Sequence, residues 1–276
     1  MRLEEGNAEH AQWLLQVGAG TNLDDDSAVQ LPADMCCATL DTLLTSIYPG
    51  INLQQDNLYF LEHTILCPWN NEVDAINQTM LDKFPGNTHL LMSVDSISSE
   101  DGQDVHYPME YLQSLTVSGL PLSKLRLKEG CPVMLLRNLD PAEGLCNGTR
   151  VIVERIRRKV LQCHIISKDR RFMGKRVLIP HIVLQPTAEA LPIPLNQCQF
   201  PVRLCFAMTI NKSQGQSLEN VGVNLETSVF SHGQLYVAFS RCTSGERIRV
   251  LLPEQYQNEH KTLNVVYYEA FGGIHL

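Results

Sequence analysis

The chain has 276 residues, 44% of them hydrophobic and 19% charged, which suits one large domain or a domain carrying a sizeable insertion. No apolar run approaches the roughly 20 residues that a bilayer-spanning helix needs. A net charge of -8 argues against indiscriminate nucleic-acid binding.

That charge is unevenly placed. Residues 1–110 hold 18 acidic and 2 basic side chains, and residues 111–276 hold 12 acidic and 20 basic. Ten of the 22 basic residues lie between Arg150 and Arg176, against only Glu154 and Asp169. Such a stretch is either an electropositive patch fitted to a phosphate backbone or a solvated hairpin with salt-bridged edges. The nine cysteines include no Cys-x-x-Cys pair and sit mostly in apolar context, the pattern of buried thiols, so no metal site is expected. Met1-Arg2-Leu3-Glu4-Glu5 does not resemble a signal or transit peptide. An intracellular protein is expected, in the nucleus or a mitochondrion if the source is eukaryotic.

In chain order, 1–20 reads as a short amphipathic helix that buries Trp13, Leu14 and Val17 and ends at Gly18 and Gly20. Leu40, Leu43, Leu44 and Ile47 follow with helical spacing and stop at Tyr48-Pro49-Gly50. His63-Thr64-Ile65-Leu66-Cys67-Pro68 reads as a buried strand. Asn70 or Asn71 can cap the next helix, on which Val73, Ile76, Met80 and Phe84 share a face. Strand then helix is the unit of a parallel sheet. From Leu122 the texture changes to short runs broken by Gly, Pro and Asn, with a tight-turn signal at Asn147-Gly148. A small inserted β-barrel over about 120–200 is predicted.

Beyond it, an apolar strand from Val202 delivers the loop Thr209-Ile210-Asn211-Lys212-Ser213-Gln214-Gly215. Small polar donors, one movable cation and a glycine that lets the backbone approach a bulky anion are the composition of a phosphate-binding loop. Ser231 and Gln234 have capping-box spacing for a helix carrying Leu235, Ala238, Phe239 and Cys242 on one face. Arg241 emerges near its C-terminal end, where a favourable interaction with the helix dipole is its ordinary explanation. Arg247-Ile248-Arg249-Val250-Leu251-Leu252 reads as a closing strand.

The 209–215 loop together with Gly233-Gln234-Leu235-Tyr236-Val237-Ala238-Phe239-Ser240-Arg241 resembles motifs V and VI of the PIF-type (petite integration frequency) superfamily-1 DNA helicases, close to the branch carried by helitron transposons. Met1-Arg2-Leu3, Ala11-Gln12-Trp13-Leu14-Leu15 and Gly18-Ala19-Gly20-Thr21 resemble the segment that opens the second motor domain. Cys67 to Asn77 resembles the strand and helix that touch the DNA backbone, and Gly144-Leu145-Cys146-Asn147-Gly148-Thr149-Arg150 resembles the signature of the 2B insertion.

The resemblance implies an α/β fold: a RecA-like, P-loop-NTPase-type second motor domain at 1–119 and 200–276, interrupted by a Src-homology-3-like 2B β-barrel at 120–199. It implies that Arg241 is an arginine finger, that Arg2 reaches the terminal phosphate, and that Gln214 and Gly215 sense the γ-phosphate. It further implies that Asn70, Thr209, Asn211, Lys212 and Ser213 hold single-stranded DNA. From the residues themselves, Asn70 is either only a helix cap or also a phosphate donor, and Trp69 either packs at an edge or stacks on a base. Asn196-Gln197-Cys198-Gln199 departs from the pattern, since relatives often carry basic residues just before Gln199-Phe200-Pro201. Phe239 stands where Leu is common, and Ser217 where Thr is common.

A helicase of this class hydrolyses ATP between two RecA-like domains, of which the first supplies the phosphate loop and the magnesium-holding carboxylate. Here the Gly174-Lys175-Arg176 step lacks the upstream Gly and the following Ser or Thr, and no apolar strand ends in Asp-Glu. ATP and Mg2+ are therefore expected only with a first motor domain in cis or trans, and Met1 is expected to match an internal position of a longer ancestor. The expected partners are that domain and single-stranded DNA, with no membrane. The expected function is the C-terminal motor portion of a 5′-to-3′ ATP-dependent DNA helicase. The alternative is a degenerate remnant acting only as a single-stranded nucleic-acid-binding module.

Overall fold

His63–Cys67 has its last four residues buried, and it becomes an inner strand of a five-stranded parallel sheet. The computed structural model describes residues 8–53, 58–97, 107–115, 117, 119–186, 191 and 193–271. The sheet belongs to the first of two units, Met1–Met80 with Phe206–Leu276; the second is Leu81–Cys205. Its strands run in the order Ala207–Thr209, His63–Cys67, Asn220–Asn224, Ile248–Leu251, Cys36–Cys37, every neighbouring pair parallel. Sequence order and spatial order differ, so the strands are joined by crossovers, as a parallel α/β sheet requires.

The helix Leu40–Ile47 buries Leu43, Leu44 and Ile47 and packs on Asn220–Asn224 and Ile248–Leu251. It begins in a capping box, in which the Thr39 and Thr42 hydroxyls each accept from the other's backbone N–H at 3.2 and 3.1 Å. Contact with the sheet is close at Gly222, where a Cβ would lie 2.9 Å from Ile47 and 3.1 Å from Ile65. The helix Ala8–Ala19 packs on Gln234–Phe239, burying Leu14 and Val17, with the half-buried Trp13 ring 5.3 Å from Phe239. Gly20, at φ +69°, ends that helix. Gly18 does not; it stays within the last turn, where its missing side chain admits the Tyr236 ring, 3.0 Å from an added Cβ.

The helix Asn70–Lys83 buries Val73, Ile76 and Met80 as the spacing predicts, but it also buries Asn77, only 1% exposed. The Asn77 Nδ2 donates to the Ala207 carbonyl at 3.1 Å, and its Oδ1 accepts from the Ala207 N–H at 2.9 Å. One side chain thus satisfies both outward-facing backbone groups of an edge-strand residue.

The second unit is mostly antiparallel. One five-stranded sheet runs Arg176–Pro180, Val160–Ile166, Arg150–Ile156, Pro132–Leu135, Val202–Leu204. A three-stranded sheet joins Ile182–Leu184, Leu195–Gln199 and Val94–Ile97, and a pair joins His89–Met92 to Lys124–Leu127. Because the strands at 89–97 pair with partners far along the chain, this unit starts at Leu81, ahead of the 120 at which the sequence texture changes. Gly148, at φ +89°, turns the chain into Arg150–Ile156, and its N–H donates to the Leu135 carbonyl at 2.9 Å.

All nine cysteines are free, and five of them are buried. Burial pushes the Cys131 thiol up to about 12. Among the described residues no group of three or more His, Cys, Asp or Glu could hold a metal, and no helix is long and apolar enough to cross a membrane.

Candidate functional site

Thr209 and Cys67 are register partners at the carboxyl ends of two neighbouring parallel strands, and the chain leaving each carries predicted site residues. A third strand, Asn220–Asn224, pairs with His63–Cys67 on its other side. Crevices outside the carboxyl ends of parallel strands are where α/β sheets hold ligands.

From Thr209 the backbone enters a 3-10 turn, Ile210–Ser213, anchored by the fully buried Ile210. Thr209 is 9% exposed and retains only a sliver of surface. Asn211, Lys212, Gln214 and Gly215 are exposed. Ser213 is wholly buried, and its hydroxyl donates inward to the Ile210 carbonyl at 2.6 Å. It braces the loop and presents no surface here. The Gln216 Nε2 adds a second brace, donating to the Lys212 carbonyl at 3.2 Å. Gly215 adopts φ +81°, and a Cβ there would meet nothing within 4 Å, so the backbone conformation and not crowding calls for glycine.

The half-buried Arg241 side chain reaches back to this loop. Its Nη1 donates to the Gln216 carbonyl at 3.1 Å and to the Ser213 carbonyl at 3.4 Å. Its Nε donates to the Val237 carbonyl at 2.9 Å and its Nη2 to the Ser240 hydroxyl at 2.8 Å. The backbones meet as well, Leu218 N–H donating to the Arg241 carbonyl at 2.9 Å. Burial lowers the guanidinium pKa, but the group stays protonated at any ordinary pH, so a cation sits against the 209–216 loop. The two segments singled out by sequence therefore share one site.

The helix Gln234–Phe239, which ends two residues before Arg241, does not start in the expected capping box. Gly233, at φ +69°, occupies the N-cap, and the Gln234 Oε1 instead accepts from the Phe230 N–H at 3.1 Å. Asn70 likewise is not the cap of its helix. It is the first helical residue and is exposed, while the Trp69 carbonyl accepts the opening bond from the Val73 N–H at 3.2 Å. Arg2 lies outside the described residues.

In the second unit the basic stretch forms a hairpin between Arg150–Ile156 and Val160–Ile166, with Arg157, Arg158 and Lys159 at its turn. Three cations are paired: Arg171 with Asp169 at 2.7 Å, Arg176 with Glu154 at 3.4 Å, and Lys175 with Glu143. Arg155, Arg157, Arg158, Lys159, Lys168 and Arg170 are exposed and make no ion pair among the described residues. The stretch thus combines salt-bridged edges with exposed cations.

Sequence reasoning assigned no role to Asn77 or Phe230. An amide interrupting the apolar stripe between Ile76 and Met80 was the available signal for the first; nothing marked the second.

Residues 110–156 match the family described as DNA helicase Pif1, 2B domain. The human ATP-dependent DNA helicase PIF1 is 34% identical over 195 residues, which is 68% of this chain and 27% of that protein. Among solved structures, the crystal structure of Pif1 helicase from Candida albicans aligns with a TM-score of 0.62 at 21% identity, covering 97% of this chain and 57% of that one. The Pif1 helicase from Bacteroides in complex with ADP-AlF3 and ssDNA aligns with a TM-score of 0.57 at 21% identity, covering 94% and 56%. The chain thus spans about a quarter of the human relative and just over half of each solved structure. The structural likeness carries a RecA-like α/β fold; by its sequence matches the chain belongs with the PIF1-type DNA helicases.

Proposed function

We propose that this chain is the C-terminal motor portion of a 5′-to-3′ ATP-dependent DNA helicase, with its first unit as the second motor domain and the second as a 2B-type, Src-homology-3-like insertion. One observation carries the proposal: Arg241 donates to the Gln216 and Ser213 carbonyls, so the cation and the polar loop occupy one strand-end edge. Asn70, Asn211 and Lys212 present exposed polar groups there and hold single-stranded DNA, with Thr209 and Ser213 setting the loop's shape. Gln214 and Gly215 lie at the loop's outer edge, where they sense the γ-phosphate, and Arg2 is a further phosphate contact.

ATP and Mg2+ belong, in this proposal, to a first motor domain supplied in cis or trans. The residues present fit a shared role: Arg241 is a protonated, half-buried cation beside a loop whose Gly215 leaves open space. When bound, ATP supplies phosphoryl chemistry; this chain's part is to place a guanidinium against developing negative charge, a contribution of roughly 10³–10⁵ in rate where such arginines have been tested.

The second reading, a binding module without motor function, is favoured by the same hydrogen bonds, because they occupy the guanidinium within the chain itself. Mixing the chain with the first motor domain of a PIF1-type helicase separates the two. Restored DNA-stimulated ATP hydrolysis that disappears with Arg241→Ala supports the motor. Salt-sensitive DNA binding with no restored turnover supports the module. A purified chain that hydrolyses ATP alone at helicase-like rates would refute both.

A further inference from the structure

Trp69 and Phe230 are 41% and 45% exposed, yet their rings pack against each other, centroids 4.1 Å apart and planes tilted by 33°. Two large aromatics gain by covering each other, and here both also keep part of their surface in water. The backbone beneath each ring is anchored. Trp69 opens the helix Asn70–Lys83 through its carbonyl, and the Phe230 N–H is fixed by Gln234, itself only 2% exposed.

The topology sets where the pair sits. Trp69 is two residues past Cys67, and Lys212 is three past its register partner Thr209. Phe230 lies on the connection leaving Asn220–Asn224, the strand on the other side of His63–Cys67. Neighbouring strands are about 4.8 Å apart. The aromatic pair and the polar loop therefore rise from the same three strand ends, exposed amides and a cation on one side and exposed rings on the other. A nucleotide offers that same pairing, a phosphate a few ångströms from a flat apolar base.

Resting on the proposal that this edge holds single-stranded DNA, we infer that Trp69 and Phe230 form a base-stacking shelf: a nucleobase lies on the outer face of the Trp69 indole, and Phe230 backs the indole from the inner side. Every base has a π-face, so the shelf is indifferent to sequence and adds grip without readout.

The test compares a short oligothymidylate with an abasic oligonucleotide of equal length, titrated into the full 276-residue chain by fluorescence anisotropy. The unaltered chain is expected to bind the thymidylate more tightly by about 5- to 150-fold, which is about 1–3 kcal/mol for one stacked base. Trp69→Ala should abolish that preference while leaving the abasic affinity and its salt dependence unchanged. Trp69→Phe should keep most of it, and Phe230→Ala should lose part. In a Trp13→Phe background Trp69 is the sole tryptophan, and its emission should be quenched by the thymidylate and not by the abasic strand.

A Trp69→Ala chain that still prefers thymidylate overturns the inference. So does a variant that binds DNA normally but no longer assembles with a first motor domain, since the rings would then be a protein contact. If the unaltered chain binds neither strand, single-stranded DNA binding itself fails; equal binding of both sinks only the shelf.

Discussion

Replacing Asn77 with alanine should unfasten the edge strand Ala207–Thr209 from the helix Asn70–Lys83. The side chain makes two buried hydrogen bonds to Ala207, and their loss strands a buried N–H and a buried carbonyl together. Each unsatisfied group costs about 1–3 kcal/mol, so the sum lies between about 2 and 6 kcal/mol, and about 3 is expected once water enters the vacated space. Both tryptophans, Trp13 and Trp69, lie in the first unit, so intrinsic fluorescence follows that unit during urea unfolding. With a slope of about 1–3 kcal/mol per molar, the midpoint should fall by about 1–3 M. Asn77→Asp separates a hydrogen-bonding role from mere filling. The ionised carboxylate still accepts from the Ala207 N–H but faces the Ala207 carbonyl, whereas the protonated acid can donate to it. The folded pKa of that carboxyl is thereby raised, so its stabilising contribution is present at low pH and lost as pH rises through the folded value. The aspartate variant should recover toward the parent on acidification and the alanine variant should not. An alanine variant within about 0.5 kcal/mol of the parent would refute the brace.

Gly222→Ala sets a Cβ 2.9 Å from Ile47 and should destabilise the first unit by about 1–3 kcal/mol in the same urea experiment; an unchanged midpoint would mean the helix Leu40–Ile47 yields freely. Burial holds His10 below its ordinary pKa of 6.5, and its Nε2 has no hydrogen-bond partner among the described residues. The neutral ring is the folded form, so its contribution is complete above pH 6.5 and is lost as pH falls through the folded value. His10→Gln should therefore shrink the loss of stability between about pH 7.5 and pH 5, and an NMR titration of His10 with a midpoint at or above 6.5 would contradict this. Neutralising Arg157, Arg158 and Lys159 to Gln should lower the slope of log affinity against log salt for single-stranded DNA by about 2, whereas Arg171→Gln, already paired with Asp169, should leave it nearly unchanged. An unaltered slope in the triple variant would place the hairpin turn away from nucleic acid.

What the sequence shows plainly here is what local pattern can encode. His63–Cys67 is long and apolar enough to read as a buried strand, and Val73, Ile76 and Met80 repeat at the helical period. Cys36–Cys37 is two residues long, too short for any period, and becomes a strand only because Val250–Leu251 pairs with it; the apolar run read as one strand from Val202 divides into Val202–Leu204 and Ala207–Thr209, which pair in different sheets with Pro132–Leu135 and His63–Cys67. The second unit begins before 120 for a related reason: His89–Met92 is defined by Lys124–Leu127, a partner that no local window contains. Ser231 and Gln234 had the right spacing for a capping box, but the left-handed conformation at Gly233 took the cap position and left the Gln234 side chain to reach Phe230 instead. Motif order and spacing identified the 209–215 loop and Arg241; the hydrogen bond from Arg241 to Gln216 spans 25 residues and needed the fold.

Arg241 has one uncommitted N–H, the second hydrogen on Nη2, so a two-pronged grip on a phosphate requires it to change partners. Its guanidinium is held by backbone carbonyls and a hydroxyl, acceptors that leave no trace in a sequence because every residue has a carbonyl. A charged phosphate oxygen forms a hydrogen bond roughly twice as strong as a neutral acceptor does, so exchange is favourable wherever a phosphate arrives partly desolvated. Giving up the Gln216 and Ser213 carbonyls removes the outer brace from the segment that follows Lys212. What then remains is the Ser213 hydroxyl on Ile210, the Gln216 amide on Lys212 and backbone hydrogen bonds within and after the loop. In the proposed motor, a nucleotide that draws Arg241 away thus softens the loop that holds DNA, and a strand that stiffens the loop opposes the withdrawal. Because such coupling is reciprocal in binding free energy, an ATP analogue that weakens DNA binding through Arg241 must itself be weakened by DNA to the same degree. Arg241→Lys, which keeps the charge but loses the planar fork that spans both carbonyls, should reduce that mutual effect even where DNA affinity alone is unchanged.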